Sequence, residues 1–182
     1  MELRVLSMAD CEQIRLWRNE QLEILRTPFL LTEEMQEDFY INVVCDRNAR
    51  ARYWGVWNTY KTALDEYEEF IGMVGLENIS LENRNAEISL LLAPDKWDKF
   101  GPAFLMVLEK GFFELNLENL YAEVYACNSH ISQWKEVNDE RIKIKKEITI
   151  LTGRKYWRGK YYDSIYLNFN RGDYIYENTT AQ

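Results

Sequence analysis

The sequence has only one histidine, His130, and only three cysteines, Cys11, Cys45 and Cys127. Cysteines that are odd in number and far apart form no disulfide framework and lack the paired spacing of a zinc site. Reduced thiols suit a cytoplasmic compartment. With no second histidine to pair with it, Cys127 reads as a buried structural thiol rather than a nucleophile. His130, near a helix start, reads as a surface or capping residue. No residue cluster suggests a metal site. No apolar run approaches the ~20 residues needed to span a bilayer, and the opening MELRVLSMAD lacks the apolar stretch of a signal peptide. Basic residues are in deficit, 22 Lys and Arg against 30 Asp and Glu, which leaves a net charge of -8. That balance disfavours a nucleic-acid backbone or an anionic membrane as partner. It is compatible with the attraction of cationic amines.

What is present is apolar and aromatic. Hydrophobic residues make up 47% of the 182, with 6 Trp and 12 Tyr, enough for one folded domain over residues 1–182. Residues 2–6 alternate like a strand. Ser7 or Asp10 caps a helix whose apolar stripe continues to residue 26, and Pro28 ends that region. Thr32 followed by two glutamates starts a second helix, reaching about residue 44. Strands are expected over 51–58, 69–80 and 86–93, with a turn or long hairpin connection over 59–68. A helix over 102–115, a strand over 119–126, a short helix over 128–137 and a closing antiparallel pair over 145–153 and 160–170 complete the chain. The order β-α-α-β-β-β-α-β-α-β-β predicts one α/β (α+β) domain with a mixed, mostly antiparallel sheet flanked by helices.

The stretch NAEISLLLAPDKWDKFGPAFLMVLEKGFFELN, residues 85–116, holds the main question. It reads as strand, short loop and amphipathic helix, a common way to hold a phosphate. Small residues at Gly101 and Ala103 let backbone approach a pyrophosphate, and a helix N-terminus stabilises negative charge. Pro102 is a normal first helical residue but removes one N–H donor. Asp98 would repel phosphate if turned inward, while Lys96 and Lys99 supply positive charge. The competing reading is an ordinary turn before a helix.

The element order, the Trp17-Arg18-Asn19 of the first helix and the late YWRGKYYDSIYL resemble the GCN5-related N-acetyltransferase superfamily, GNAT, and within it the ribosomal-protein-alanine and sugar-amine acetyltransferase branch. The resemblance covers nearly the whole chain. It implies acetyl-CoA as co-substrate, no metal, and an acceptor with a primary amine: an amino-sugar nucleotide, a protein N-terminus or a small amine. The superfamily's loop, Gln/Arg-x-x-Gly-x-Gly/Ala, is met by Gly101 and Ala103, with Asp98 where Gln or Arg is usual. The resemblance implies cofactor contacts at Lys99, Phe100, Gly101, Pro102 and Ala103, backbone donors near Leu91 and Leu92, and a pantetheine contact at Asn128, which is also a natural helix N-cap. It places the general base at Glu87, in an Ala-Glu-Ile fourteen positions before Gly101; a solvent-facing strand residue is the competing reading. It assigns Trp17, Arg18 and Asn19 to the acceptor pocket, although Trp17 also suits helix packing. Val137-Asn138-Asp139 replaces the usual Leu-Gly-Phe, and the tyrosine acid of some relatives is absent; Tyr156, Tyr161 and Tyr162 are candidate substitutes. The expected partners are the amine acceptor and a second copy in a homodimer. A catalytically inactive acyl-CoA-binding sensor or scaffold, and an unrelated α+β interaction protein, stand as alternatives.

Overall fold

Two reciprocal bonds start the first helix. Ser7 Oγ accepts from the Asp10 N–H, and the Asp10 carboxylate accepts from the Ser7 N–H at 2.8 Å, so both candidate caps act together as a capping box. The structure, a computed structural model, describes residues 1–26, 28–62, 65–137 and 142–176. After strand β1 (Glu2–Arg4), helix α1 spans Met8–Glu20. It stops short of the expected residue 26, because Gln21 leaves helical dihedrals and a 3-10 turn, Leu22–Ile24, follows. The buried Gln21 side chain is committed to tertiary partners: its Nε2 donates to Leu92 O at 3.0 Å, and its Oε1 accepts from Trp97 Nε1 at 2.9 Å. Helix α2 (Glu33–Phe39) begins at Thr32, whose Oγ1 accepts from the Met35 N–H, and runs on through a π turn, Tyr40–Val44, to the expected end.

The strands are β2 (Arg52–Lys61), β3 (Glu66–Ser80), β4 (Asn85–Leu92), β5 (Asn119–Tyr125), β6 (Ile142–Trp157) and β7 (Lys160–Tyr176). Helix α3 (Phe100–Glu109) continues into a π turn, Lys110–Glu114, and α4 (Ile131–Lys135) is shorter than expected. Most of the expected 59–68 connection is strand. Tyr60 pairs with Tyr67 across β2 and β3, with rings stacked at 5.1 Å, and such cross-strand aromatic pairs extend a hairpin beyond what polar composition suggests.

One seven-stranded sheet results, in the order β1-β2-β3-β4-β5-β7-β6. Every pairing is antiparallel except β4 with β5, which run parallel with α3 as the crossover between them. Alternation along β4 divides its side chains. Ile88, Leu90 and Leu92 join the larger core with Phe104, Leu108 and Phe112 of α3 and its π turn. Leu91 joins Cys11 and Ile14 of α1 on the opposite face. Gly75 of β3 is required on that second face: a Cβ there would lie 2.3 Å from the Tyr53 ring, which rests against the strand. No helix among the described residues is long and apolar enough to cross a membrane.

Candidate active site

The parallel pairing of β4 and β5 covers only Asn85, Ala86 and Glu87 against Asn119, Leu120 and Tyr121. Beyond Glu87 the strands part, and a cleft of about 310 Å³ opens between them. Its backbone wall follows from the β3–β4 register. The Ala93 N–H donates to Ile71 O at 2.9 Å, and Leu92, Leu91 and Leu90 oppose Gly72, Met73 and Val74. The alternation of an antiparallel ladder therefore commits the Leu91 N–H to β3 and turns those of Leu90 and Leu92 into the gap. Of the two leucines expected to supply donors, Leu91 is committed to β3, and Leu92 turns toward the gap where its carbonyl already holds Gln21; Leu90 lines the cleft.

The cleft has two unlike halves. Ile88, Leu90, Val124, Trp97, Trp134 and Asn128 line the half toward α3. Arg18, Arg26, Tyr53, Glu77, Glu87, Glu123 and Tyr125 line the half under α1. Glu87 lies where they meet and is buried, at 7% exposure. It accepts from the guanidinium of Arg26 and from Asn78 Nδ2 at 3.1 Å. The hydrogen bond to Glu87 holds the Arg26 pKa above its usual range. Arg26 is itself half-exposed and also lies 3.9 Å from Glu123, so it sits across the entrance between two carboxylates. Glu123 Oε1 accepts from Ser164 Oγ at 2.7 Å and from Arg154 Nε at 3.3 Å. Tyr53 donates its hydroxyl to Glu77 at 2.7 Å; burial, then the Glu77 charge, raises its pKa and keeps the phenol protonated.

At the other end of the gap, α3 follows directly on a 3-10 turn, Trp97–Lys99, and begins without a side-chain cap; the Phe100 N–H donates to Trp97 O. A Cβ on Gly101 would meet nothing within 4 Å, so the backbone there is open to close approach. These features fit a pyrophosphate. Phe100 and Ala103 are core residues with backbone at the helix start, and Pro102 offers no N–H. The lysines are already engaged: Lys99 pairs with the exposed Asp98 at 2.6 Å, and Lys96 with Glu69 at 2.9 Å. Asn128 is buried in the cleft wall; its Oδ1 accepts from the His130 N–H at 2.7 Å, and its Nδ2 has no partner among the described residues. Asn128 is not the helix N-cap, which falls at His130; its side chain closes the turn before α4.

Of the three α1 residues assigned to the acceptor, only Arg18 lines the cleft. Trp17 stacks on Phe70 at 5.4 Å, and Asn19 clasps the backbone of Leu31 through both its amide atoms. The tyrosines at 156 and 161 are 60% and 71% exposed and pack on one another; neither they nor Tyr162 line the cleft. Tyr125 does, and an alternating strand pattern gave no reason to single it out. His130 lies flat on Trp97 with ring centroids 3.9 Å apart. Lys155 is buried; its Nζ donates to Glu23 O and Leu25 O at 2.7 and 2.6 Å, fixing the turn that carries Arg26. Cys127 Sγ contacts Glu23 O at 3.4 Å. Asn138 and Asp139 lie outside the described residues. Among the described residues no group of three or more His, Cys, Asp or Glu is placed to hold a metal ion.

No curated protein matches the chain. Among solved structures it is similar to the spermidine N-acetyltransferase of Vibrio cholerae in complex with CoA and spermine, at 21% identity over 94% of this chain and 96% of that one, with a TM-score of 0.74. It is also similar to the dodecameric form of the Vibrio cholerae enzyme in an intermediate state, at 22% identity over 99% and 98%, with a TM-score of 0.71. At such identities the likeness shows a shared fold. The family model for the acetyltransferase (GNAT) domain matches residues 1–133, most of the chain. The chain belongs to the GNAT acetyltransferase family and is by that membership an acyltransferase.

Proposed function

We propose that the chain transfers an acetyl group from acetyl-CoA to a small primary amine, with Glu87 as the proton acceptor. The observation that carries this reading is the cleft itself: parted strands with the outward N–H groups of Leu90 and Leu92 on one wall and a buried carboxylate where the two halves meet. Acetyl-CoA supplies an activated thioester. Gly101 and the uncapped start of α3 receive its pyrophosphate, and the apolar half with Asn128 receives the pantetheine arm. The Leu90 and Leu92 N–H groups donate to the carbonyl oxygen as charge develops there. An alkyl amine is mostly protonated at neutral pH, so Glu87, directly or through a water, takes one proton and leaves the nitrogen lone pair free to attack the carbonyl carbon. As the carbon–sulfur bond breaks, the Tyr125 hydroxyl gives its proton to the departing sulfur, and the second proton shed by the amine nitrogen restores the phenol. Arg26 holds the Glu87 carboxylate in position through its guanidinium.

A polyamine acceptor is the second reading. It is favoured by the three carboxylates Glu77, Glu87 and Glu123 on one side of the cleft and by the spermine complex of the Vibrio cholerae enzyme. The test is calorimetry with acetyl-CoA, followed by thiol release across a panel of amines. Binding with turnover of at least one small amine is expected. Absence of acetyl-CoA binding would overturn the proposal, and binding without turnover of any amine would replace it with an acyl-CoA sensor.

A further inference from the structure

We infer that the acceptor carries an anionic group, a carboxylate or a phosphate, which Arg18 receives inside the cleft. This rests on the acetyltransferase reading and specifies its acceptor. The inward stripe of α1 and its C-cap is Cys11, Ile14, Arg18 and Gln21, at the spacing where a sheet-facing helix normally places apolar side chains. Two polar residues break the stripe, and they differ in one respect. Gln21 is satisfied at both ends of its amide by Leu92 O and Trp97 Nε1. The Arg18 guanidinium makes no hydrogen bond among the described residues, and its Nε is fully buried without a partner.

The neighbours of Arg18 do not complete it. Glu77, whose charge favours the Arg18 cation, forms no ion pair with it and accepts a hydrogen bond from the Tyr53 hydroxyl instead. Glu87 is engaged by Arg26 and Asn78, and Glu123 by Ser164 and Arg154. Each carboxylate of the cleft already has a donor, and Arg18 is the cleft cation left without an acceptor among the described residues. An unpaired, largely enclosed guanidinium is costly to keep. Its planar fork matches the paired oxygens of a carboxylate or phosphate. Arg18 and Glu87 line one cleft of about 310 Å³, so the anion and the reacting amine belong to one small molecule, separated by a few bonds. A polyamine with no anionic group would add positive charge beside Arg18 and leave it unpaired.

The experiment compares four acceptors with the 182-residue chain: an ω-amino carboxylic acid, an aminoalkyl phosphate, the alkylamine of the same length and spermidine. Acetyl-CoA binding is measured first by calorimetry; its absence would overturn the transferase reading and this inference with it. With acetyl-CoA bound, at least one anionic acceptor is expected to exceed the alkylamine in kcat/KM by about 10- to 100-fold, as a charge-assisted pair of hydrogen bonds allows. The two anionic arms decide between carboxylate and phosphate. Arg18→Gln is expected to bring the favoured anionic acceptor down to the level of the alkylamine. Arg18→Lys, which keeps charge without the fork, should retain part of the preference, and melting temperatures of both variants report folding. Preference for spermidine or the alkylamine by the wild-type chain, or an anionic preference that survives in a folded Arg18→Gln protein, would overturn the inference while leaving the acetyltransferase reading intact.

Discussion

Glu87 and Asp98 are each a carboxylate beside a cation, and their surroundings predict opposite effects of neutralising them. Glu87 is buried and bonded by Arg26 and Asn78. Glu87→Gln keeps its size and polarity but cannot take a proton, so kcat/KM for an amine should fall by roughly 10²–10⁴-fold at neutral pH. The loss should shrink at high pH, where free amine is abundant, and calorimetry should find acetyl-CoA affinity nearly unchanged. A structural Glu87 would instead lower activity equally at every pH. Asp98 is exposed and holds the Lys99 ammonium at 2.6 Å. Asp98→Asn releases Lys99 toward the start of α3, so acetyl-CoA should bind a few-fold tighter at low salt, with the gain fading as ionic strength rises. Equal affinities at low salt would place Lys99 away from the pyrophosphate.

At the scale of elements, the start of α3 and the His130–Trp97 stack each make a separate prediction. Gly101→Val adds its branched side chain into open space. The melting temperature should therefore hold while acetyl-CoA binding weakens, because the side chain fills the volume the pyrophosphate needs. Unchanged affinity would put the phosphate site elsewhere. His130 packs on Trp97, and burial lowers its pKa below the ordinary value of 6.5 despite the opposing charge of Glu23. Above pH 6.5 both the folded and unfolded forms are neutral, and the contribution of His130 is fully present. As pH falls below that value the unfolded chain gains the proton first, so stability declines until the folded form also titrates. A scan of melting temperature against pH should show this decline, and His130→Asn should flatten it.

For the whole molecule, ligand binding and folding are linked. Acetyl-CoA at 100 times its dissociation constant contributes about 2.7 kcal/mol to the folded state. For a chain of 182 residues that should raise the melting temperature by roughly 5–10 °C. Thermal denaturation with and without acetyl-CoA checks this, and adding desulfo-CoA or adenosine separately shows which part of the molecule is recognised. A melting temperature that does not respond to saturating acetyl-CoA would contradict the site as a whole.

The order of strands and helices was legible in the sequence because each element carries its own periodicity: the alternation of residues 86–93, the stripe through Cys11 and Ile14, the Ser7–Asp10 cap. So was the cluster of small residues at the start of α3, since Gly101 and Ala103 are adjacent in sequence to the helix they begin. The family itself could be read from such local features. What local pattern could not supply was any property that depends on partners distant in sequence. Helix α1 ends at Glu20 because Gln21 reaches Leu92 and Trp97, more than seventy positions away. Leu90 rather than Leu91 faces the gap because the β3 ladder fixes which N–H groups are already used. Glu87 meets Arg26 only after the turn held by Lys155 is folded onto the sheet. Sequence spacing sets which face a side chain takes; whether that side chain is paired, as Gln21 is, or left waiting, as Arg18 is, was decided only when the sheet brought its neighbours together.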